Sequence, residues 1–343
     1  MTIRIKRDRI EFTANGGSTY TLAESNTGFT FDGTIQATNI FPDPFGSFQG
    51  TVAGFISGGY IPSPPGAINT IDKFPFASGA NSVDHGDLPA ARTSSGSTGQ
   101  SSSTHGYHSG GITPGNVQHN TILKYPFSTA SGSSDIGDLL ITFWGPTGHS
   151  SGISGYVSAT YTGGYLNNIN KFPFSVDSNA TDVGDLVAGT YLPGGQSSGS
   201  HGYTSGGQAP VTPRAGLVSK FSFATDANAT DASTLTLSRM RQAGQSSISY
   251  GYNSGGTGGP TNIIDKFPFA ADASATDVGD LTVARDYVAG QSSEGQGYST
   301  GGMVPPGATS LNTIDRFPFA TDSNATDVAD LSQARLNGTG NQE

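Results

Sequence analysis

The chain has 343 residues, of which 50 are glycine, 19 are phenylalanine and 13 are tyrosine, a composition that favours short strands and tight turns over a disordered chain. The net charge of −10 argues against nucleic acid as a partner, and the absence of cysteine excludes disulfides and thiolate metal sites. No apolar run is long enough to span a membrane, so no membrane insertion is expected.

The first 45 residues differ from the rest and are predicted to form a small β segment. Residues 3–5 and 10–12 alternate apolar and polar side chains, which is typical of strands and not of a signal peptide. Further features are a turn at 15–17, strands at 19–22 and 29–31, and a boundary at 42–44. So short a segment is marginally stable alone, so we expect residues 1–45 to oligomerise or to dock onto a larger assembly. The alternative is a strand arm on the following domain.

A cation–aromatic block recurs six times along the rest of the chain and reveals an internal repeat. The copies read Lys-Phe-Pro-Phe with small variations and begin at Lys73, Lys124, Lys171, Lys220, Lys266 and Arg316. The spacings between successive copies are 51, 47, 49, 46 and 50 residues. A repeat of this length cannot bury its own apolar face, so the copies are expected to stack on one another.

Further blocks keep step with the aromatic block. Gly-aromatic-x-x-Gly-Gly precedes most copies and is altered in the third, around 155–164. Asp-x-Gly-Asp-Leu follows most copies, with Ala329 in the glycine position of the last and a drifted form at 231–235. An arginine then stands four residues beyond the leucine in four copies, at Arg92, Arg239, Arg285 and Arg335. Gly-Gln-Ser-Ser completes the repeat, with His149 in place of glutamine in one copy.

This order predicts four short strands per repeat. The first begins at Gln-Ser-Ser, the second leads into Gly-Gly, the third is the aromatic block and the fourth is the Asp-x-Gly-Asp-Leu segment. Gly-Gly suits positive φ or close backbone packing. Because proline donates no hydrogen bond, the aromatic block is expected near the edge of its sheet.

The repeat resembles the Kelch repeat, in which a strand ending in Gly-Gly is followed by an aromatic strand and then by a strand leading to an arginine. The fourth copy shows this order at 202–207, 220–223 and Arg239. The Kelch tryptophan has no counterpart, since the single tryptophan, Trp144, lies outside that position. The resemblance implies an all-β, six-bladed propeller over residues 46–343, preceded by the short N-terminal β segment.

The repeats are predicted to run over about 46–97, 98–147, 148–194, 195–243, 244–289 and 290–343. Ring closure must join the sixth blade to the first. The sequence leaves open whether the closing blade combines N- and C-terminal strands.

The aspartate-rich segment is a candidate calcium site, because Asp177, Asn179, Asp182 and Asp185 offer oxygen ligands close together. Its spacing is not that of an EF-hand and the segment recurs in most copies, so it is interpreted as a turn, with calcium as the alternative. The Asn-Ala-Thr triplets at 179–181, 228–230 and 324–326 match the glycosylation acceptor and are likewise interpreted as turn residues.

Histidines offer a second candidate metal site, since His105 and His108 lie near His119 in sequence. His201 occupies the repeat position of His105, where other copies carry Ala53, Tyr250 or Gln296. That variability indicates a position that recurs in every repeat with different side chains and has no ligand role. The repeated cation could bind an anion, but pairing with a repeat aspartate is simpler.

No catalytic order of serine, histidine and aspartate stands out. We therefore predict no catalytic, cofactor-binding or metal-binding residues, no cofactor, and no enzymatic activity. Binding is expected on the unequal loops between Gly-Gly and the aromatic block, which lie at one repeat phase: 61–67, 112–118, 208–217 and 303–310. Individual ligand-binding residues are not assigned.

The near-identical copies also resemble Kelch-like structural proteins of tailed bacteriophages, especially those of marine cyanobacteria, and residues 8–33 look like a virion-attachment segment. The resemblance implies a non-enzymatic fibre, tip or decoration protein of the virion, assembled in the host cytoplasm. It would bind other virion proteins through residues 1–45, form homo-oligomers, and display the propeller to a host surface glycan or another protein. The alternative is a bacterial surface or extracellular carbohydrate-binding propeller.

Overall fold

The computed structural model describes residues 49–62, 65–93, 97–209, 216–258, 262–305 and 309–343, and three strands nearer the N-terminus. The chain forms two compact units, residues 1–42 and 43–343. In the first unit the strands Thr2–Ile5, Arg9–Thr13 and Thr19–Ala23 pair antiparallel in chain order. The turn predicted at 15–17, the strand at 29–31 and the boundary at 42–44 lie outside the described residues.

The second unit is an all-β propeller of six blades, as predicted. Each blade is an antiparallel sheet of four main strands, and the first strands of neighbouring blades contact one another around the axis.

The blades are described from the axis outward. Blade 1 consists of Thr339–Gln342, Ala53–Ser57, Thr70–Pro75 and Val83–Asp87; blade 2 of Gln100–Ser101, His105–Ser109, Val117–Pro126 and Ser134–Phe143; and blade 3 of Thr147–Ser150, Ser154–Ser158, Asn168–Pro173 and Thr181–Asp185. Blade 4 consists of Gly194–Ser197, His201–Ser205, Leu217–Ser222 and Thr230–Thr234; blade 5 of Ala243–Ser246, Tyr250–Ser254, Ile263–Pro268 and Thr276–Asp280; and blade 6 of Ala289–Ser292, Gln296–Thr300, Thr313–Pro318 and Thr326–Asp330. Short extra strands lie at Tyr60–Pro62, Pro65–Ala67, Ile112–Thr113, Met303–Val304 and Thr309–Ser310.

The aromatic block is the third of the four strands and not an edge strand, which corrects the expectation drawn from its proline. In blade 3, Pro173 is the last residue of its strand and pairs with Ser154 of the second strand. The ladder to the outer strand ends earlier, at Lys171 opposite Thr181. The proline therefore leaves no outer-strand hydrogen bond unmade.

Aromatic rings join each blade to the next. The tyrosine of the second strand, such as Tyr156, stacks on the second aromatic of the next blade's block, Phe223, with ring centroids 4.8 Å apart. The same stack recurs at every junction, in Phe55–Phe127, Tyr107–Phe174, Tyr203–Phe269, Tyr252–Phe319 and Tyr298–Phe76. The glycine before that tyrosine makes room for its own blade's aromatic: a Cβ on Gly155 would overlap the ring of Phe172. These contacts explain why the two sequence blocks recur in phase.

The C-terminus closes the ring. Thr339–Gln342 pairs antiparallel with Ala53–Ser57, so blade 1 takes its innermost strand from the end of the chain. Lys73 then forms an ion pair with Glu343 at 3.0 Å. The question that the sequence left open is therefore decided in favour of a blade built from both ends of the propeller.

Buried ion pairs span three junctions. Arg239 pairs with Asp265, Arg285 with Asp315 and Arg335 with Asp72, each joining the end of one repeat to the third strand of the next blade. All six side chains are at most 1% exposed. The other junctions have Leu123, Asn170 or Ser219 in the aspartate position.

The axis is closed by glycines. A Cβ on Gly244 would overlap the carbonyl oxygen of Gly195, and one on Gly290 would overlap that of Gly244. Serines of neighbouring first strands are also bonded, with each Oγ accepting the N–H of the preceding blade's serine at 2.9–3.0 Å, in Ser101–Ser150, Ser150–Ser197, Ser197–Ser246 and Ser246–Ser292. At these glycine positions even one added carbon would overlap the neighbouring strand.

Both ends of the axis are covered. At one end Ser97 and Thr98 lie across it: Gly290 donates to the Ser97 carbonyl at 2.9 Å, and Thr98 Oγ1 donates to the Gly195 carbonyl at 3.3 Å. At the other end Gln49 Nε2 donates to the carbonyls of Ser246 and Ser293, each at 3.0 Å. The axis is therefore covered at both ends, and only a small space remains between the first strands, lined among others by Thr98, His149 and Gln342.

Candidate functional site

The repeated lysines pair with aspartates, but across blades. Lys124 contacts Asp177 at 2.8 Å, and the aspartate belongs to the turn after the next blade's aromatic block. Lys171–Asp226, Lys220–Asp272 and Lys266–Asp322 repeat this geometry. The aspartates are more than half exposed, so each pair contributes little to stability. The cations at these four positions are thus engaged in blade-to-blade pairing.

The side chains of the aspartate-rich segment have separate structural contacts. Asp177 binds Lys124, Asn179 Oδ1 accepts the N–H of Asp138 in the preceding blade, and Asp182 Oδ1 accepts the N–H of Gly184 two residues ahead. Asn228 and Asn324 repeat the contact of Asn179. Gly184 lies in the fourth strand with φ +146°, and a Cβ there would crowd the carbonyl of Ala227 at 2.6 Å. These contacts give the segment a structural role, with Asp177 and Asn179 in the turn and Asp182 in the fourth strand.

The candidate histidines have different environments. His108 is buried between blades 1 and 2, with Nδ1 2.9 Å from Ser57 Oγ, whereas His119 Nε2 lies 3.0 Å from Thr113 Oγ1. His105 and His201 each contact the hydroxyl of the residue before them, Thr104 and Ser200. Among the residues that the structure describes, no group of three or more His, Asp or Glu side chains could hold a metal ion.

Buried His149 is expected to make stability depend on pH. Its Nδ1 lies 3.1 Å from the Gln196 carbonyl, and burial lowers its pKa from 6.5 to about 4. Below pH 6.5 the unfolded chain therefore binds a proton at His149 that the folded chain excludes. The contribution of neutral His149 to stability is fully present above that pH and is lost as the pH falls. We expect His149 to account for about 2–3 kcal/mol of lost unfolding free energy by about pH 4.5.

Glutamine occupies this position in the neighbouring blades, as Gln100 and Gln196, so His149→Gln provides the control. Urea unfolding at a series of pH values should show that the free energy of unfolding falls less steeply with decreasing pH in the variant than in the unaltered protein. The fall that remains in the variant comes from other groups, such as His108, whose pKa burial lowers to about 3. Equal slopes for the two proteins would contradict the assignment.

One face of the propeller is formed by paired connections, which we call the loop face. The connection from the fourth strand of each blade to the next first strand forms an antiparallel bridge with the following blade's connection between its second and third strands. The six bridges are Leu336–Tyr60, Thr93–Ile112, Trp144–Tyr161, Tyr191–Gln208, Met240–Thr257 and Asp286–Met303. The predicted variable loops begin at or next to these bridges, so their described parts belong to this face.

Four aromatic residues gather on the loop face of blade 3 and its junctions, and we call them the aromatic cluster: Trp144, Tyr161, Tyr165 and Tyr191. The ring centroids of Trp144 and Tyr191 are 4.8 Å apart, and those of Tyr161 and Tyr191 are 4.9 Å apart. Tyr161 also lies 5.8 Å from Trp144 and 5.4 Å from Tyr165. Tyr191 is buried beneath the others, while the remaining three rings are partly exposed.

Local backbone geometry fixes the cluster. Gly145 has φ +73°, and a Cβ there would overlap the Tyr191 ring, so the chain after Trp144 turns tightly over that ring. The third repeat replaces Gly-Gly by Ala159 and Thr160, with Ala159 at φ +61°, and Thr160 Oγ1 donates to Asn168 Oδ1 at 3.1 Å. This bond ties together the two ends of the connection that bears Tyr161 and Tyr165.

Sequence alone did not predict this cluster. Trp144 stood out there only because it lies outside the Kelch position, and the third repeat only because its Gly-Gly block is altered. The available signal was the coincidence of the single tryptophan, the altered repeat and three tyrosines within about one repeat length.

Comparison with known proteins adds no family. No protein-family model matches the chain, and no curated protein matches it. Within the described part of the chain, no helix is long and apolar enough to cross a membrane.

Proposed function

We propose that this chain is a non-enzymatic structural component of a bacteriophage virion, a fibre, tip or decoration protein that displays its propeller. The resemblance of the repeats to Kelch-like phage proteins supports this proposal. A compact N-terminal unit that lacks the repeat supports it too, because attachment and display then lie in different parts of the chain.

The observation that carries the proposal is the contrast within the propeller. The repeated polar residues at the axis and the junctions form hydrogen bonds and ion pairs between blades, whereas the connections of the loop face vary in length and sequence from blade to blade. Variable loops on a rigid scaffold are where binding sites are usually placed. The loop face is therefore the surface that would contact a host surface glycan or another protein.

In this proposal residues 1–45 bind other virion proteins and form a homo-oligomer, and the protein resides in particles assembled in the host cytoplasm. Removing residues 1–45 should give a folded, monomeric propeller that no longer enters particles, as measured by light scattering and by mass spectrometry of purified virions. A truncated protein that stays oligomeric would contradict the anchor role.

The second candidate is a bacterial surface or extracellular carbohydrate-binding propeller. The aromatic cluster favours it, because binding at the cluster would not depend on assembly into a virion. Neighbouring genes distinguish the two candidates. Portal, capsid or tail genes beside this one support the virion component, and their absence together with secretion of the protein supports the alternative.

A further inference from the structure

We propose that the aromatic cluster binds an uncharged sugar, stacking the apolar face of a pyranose ring on Trp144, Tyr161 and Tyr165. This inference rests on the proposed function of the loop face as the contact surface. It specifies the blade, the residues and the chemical class of the ligand.

The repeats themselves show that the fold does not require these rings. All six junctions form the same backbone bridge, yet the residues equivalent to Trp144 include Thr93 and Met240, and those equivalent to Tyr161 include Ile112 and Thr257. A bridge made by backbone atoms does not depend on which side chains the two residues carry. Aromatic residues on both sides of the bridge occur only at the junction of blades 2 and 3, with Tyr191 added from the next junction.

Exposure and chemistry together favour a sugar. Partly exposed, mutually fixed aromatic rings present flat apolar surface at little entropic cost, which suits a ligand with one apolar face. Polar residues lie next to the ring-bearing residues in the chain or across a bridge: Thr162 is exposed and Asn167 half-buried on the connection that bears Tyr161 and Tyr165, and exposed Gln208 bridges Tyr191. Amides and hydroxyls at the rim of an aromatic patch can bond the ring hydroxyls of a pyranose.

Charge then selects among sugars. The chain segments that build the cluster contain no Asp, Glu, Lys or Arg: 139–148, 159–170, 186–198 and 202–209. Arg241 adjoins these segments, since its backbone N–H donates to the Leu192 carbonyl at 2.9 Å, but its guanidinium lies 3.4 Å from Asp286 and over the Tyr287 ring. Among the described residues of these segments, a uronic or sialic acid would lose hydration of its carboxylate without gaining a cation, so neutral sugars should bind better.

The single tryptophan makes the test direct. Methyl glycosides of glucose, galactose and mannose, with glucuronate and galacturonate as charged counterparts, are titrated into the full-length protein while tryptophan fluorescence is followed. Since Trp144 is the only tryptophan, a saturable change reports altered surroundings of Trp144, and the variants below locate the binding. We expect at least one neutral glycoside to bind, and to bind at least about tenfold more tightly than the acid sugars.

Variants taken from the other repeats separate binding from folding. Trp144→Met copies Met240 and Tyr161→Thr copies Thr257, so both should fold, and each should weaken the affinity at least about tenfold by calorimetry. Tyr60→Thr, made at the bridge of blades 6 and 1, is the matched control and should leave the affinity unchanged.

Several results would overturn the inference: no neutral glycoside binding up to about 100 mM, equal binding of acid sugars, or equal losses in the cluster variants and the control. Detection of the protein in virions together with no sugar binding would reject the sugar site and leave the virion proposal standing. Sugar binding by a protein absent from virions would reject the virion proposal and leave the sugar site standing.

Discussion

Replacing Asp72 by alanine is expected to lower the free energy of unfolding by about 3–5 kcal/mol, because Arg335 would remain charged, buried and without its partner. The two side chains are 0% exposed and their Nη2 and Oδ2 atoms are 2.9 Å apart. Asp72 also accepts from the hydroxyl of Ser332 at 2.7 Å. This pair links blade 6 to blade 1, the junction that closes the ring.

The chain supplies a matched control for this prediction. At the junction of blades 3 and 4, Thr190 and Ser219 occupy the positions of Arg335 and Asp72. The double variant Asp72→Ser with Arg335→Thr removes both charges and should be more stable than Asp72→Ala alone. Urea unfolding measures all three proteins, and a double variant no more stable than the single one would contradict the explanation by buried charge.

The second large effect is expected at the axis, where Gly244→Ala should destabilise the propeller by about 3 kcal/mol. The added methyl would overlap the Gly195 carbonyl, which belongs to a packed first strand that cannot move without displacing its neighbours. Thermal and urea unfolding would both report the loss.

Gly295→Ala is the control for the axial substitution. Gly295 is exposed in a turn, and a Cβ there would meet nothing within 4 Å. We expect its substitution to be neutral, or stabilising by up to about 1 kcal/mol through the unfolded chain. Equal effects of the two substitutions would show that axial packing is looser than described.

The local sequence pattern was sufficient to predict the parts of the fold that repeat. The recurrence of Gly-Gly, aromatic block and Asp-x-Gly-Asp-Leu in one phase predicted six blades of four strands. Positive φ at Gly58 and Gly59 confirms the role given to the paired glycines. The prediction of an edge strand from the proline was wrong, because a proline costs a ladder hydrogen bond only where the neighbouring strand extends alongside it, and here the outer strand stops earlier.

The sequence also showed Arg239, Arg285 and Arg335 as a repeated feature without showing their partners. Each partner aspartate lies in the next repeat, 26 to 30 residues ahead for Arg239 and Arg285, while Asp72 lies 263 residues before Arg335. A repeat period establishes which residues are equivalent. It does not establish which equivalent positions face each other across a junction.

By itself, then, the sequence determined the repeat, the blade number and the turn chemistry, because these follow from period, glycine and proline within one repeat. Only the tertiary structure decided the closure through Thr339–Gln342, the covered axis and the aromatic cluster. Each of these depends on packing between blades, where residues distant in sequence meet, and that packing is set by the geometry of the complete ring.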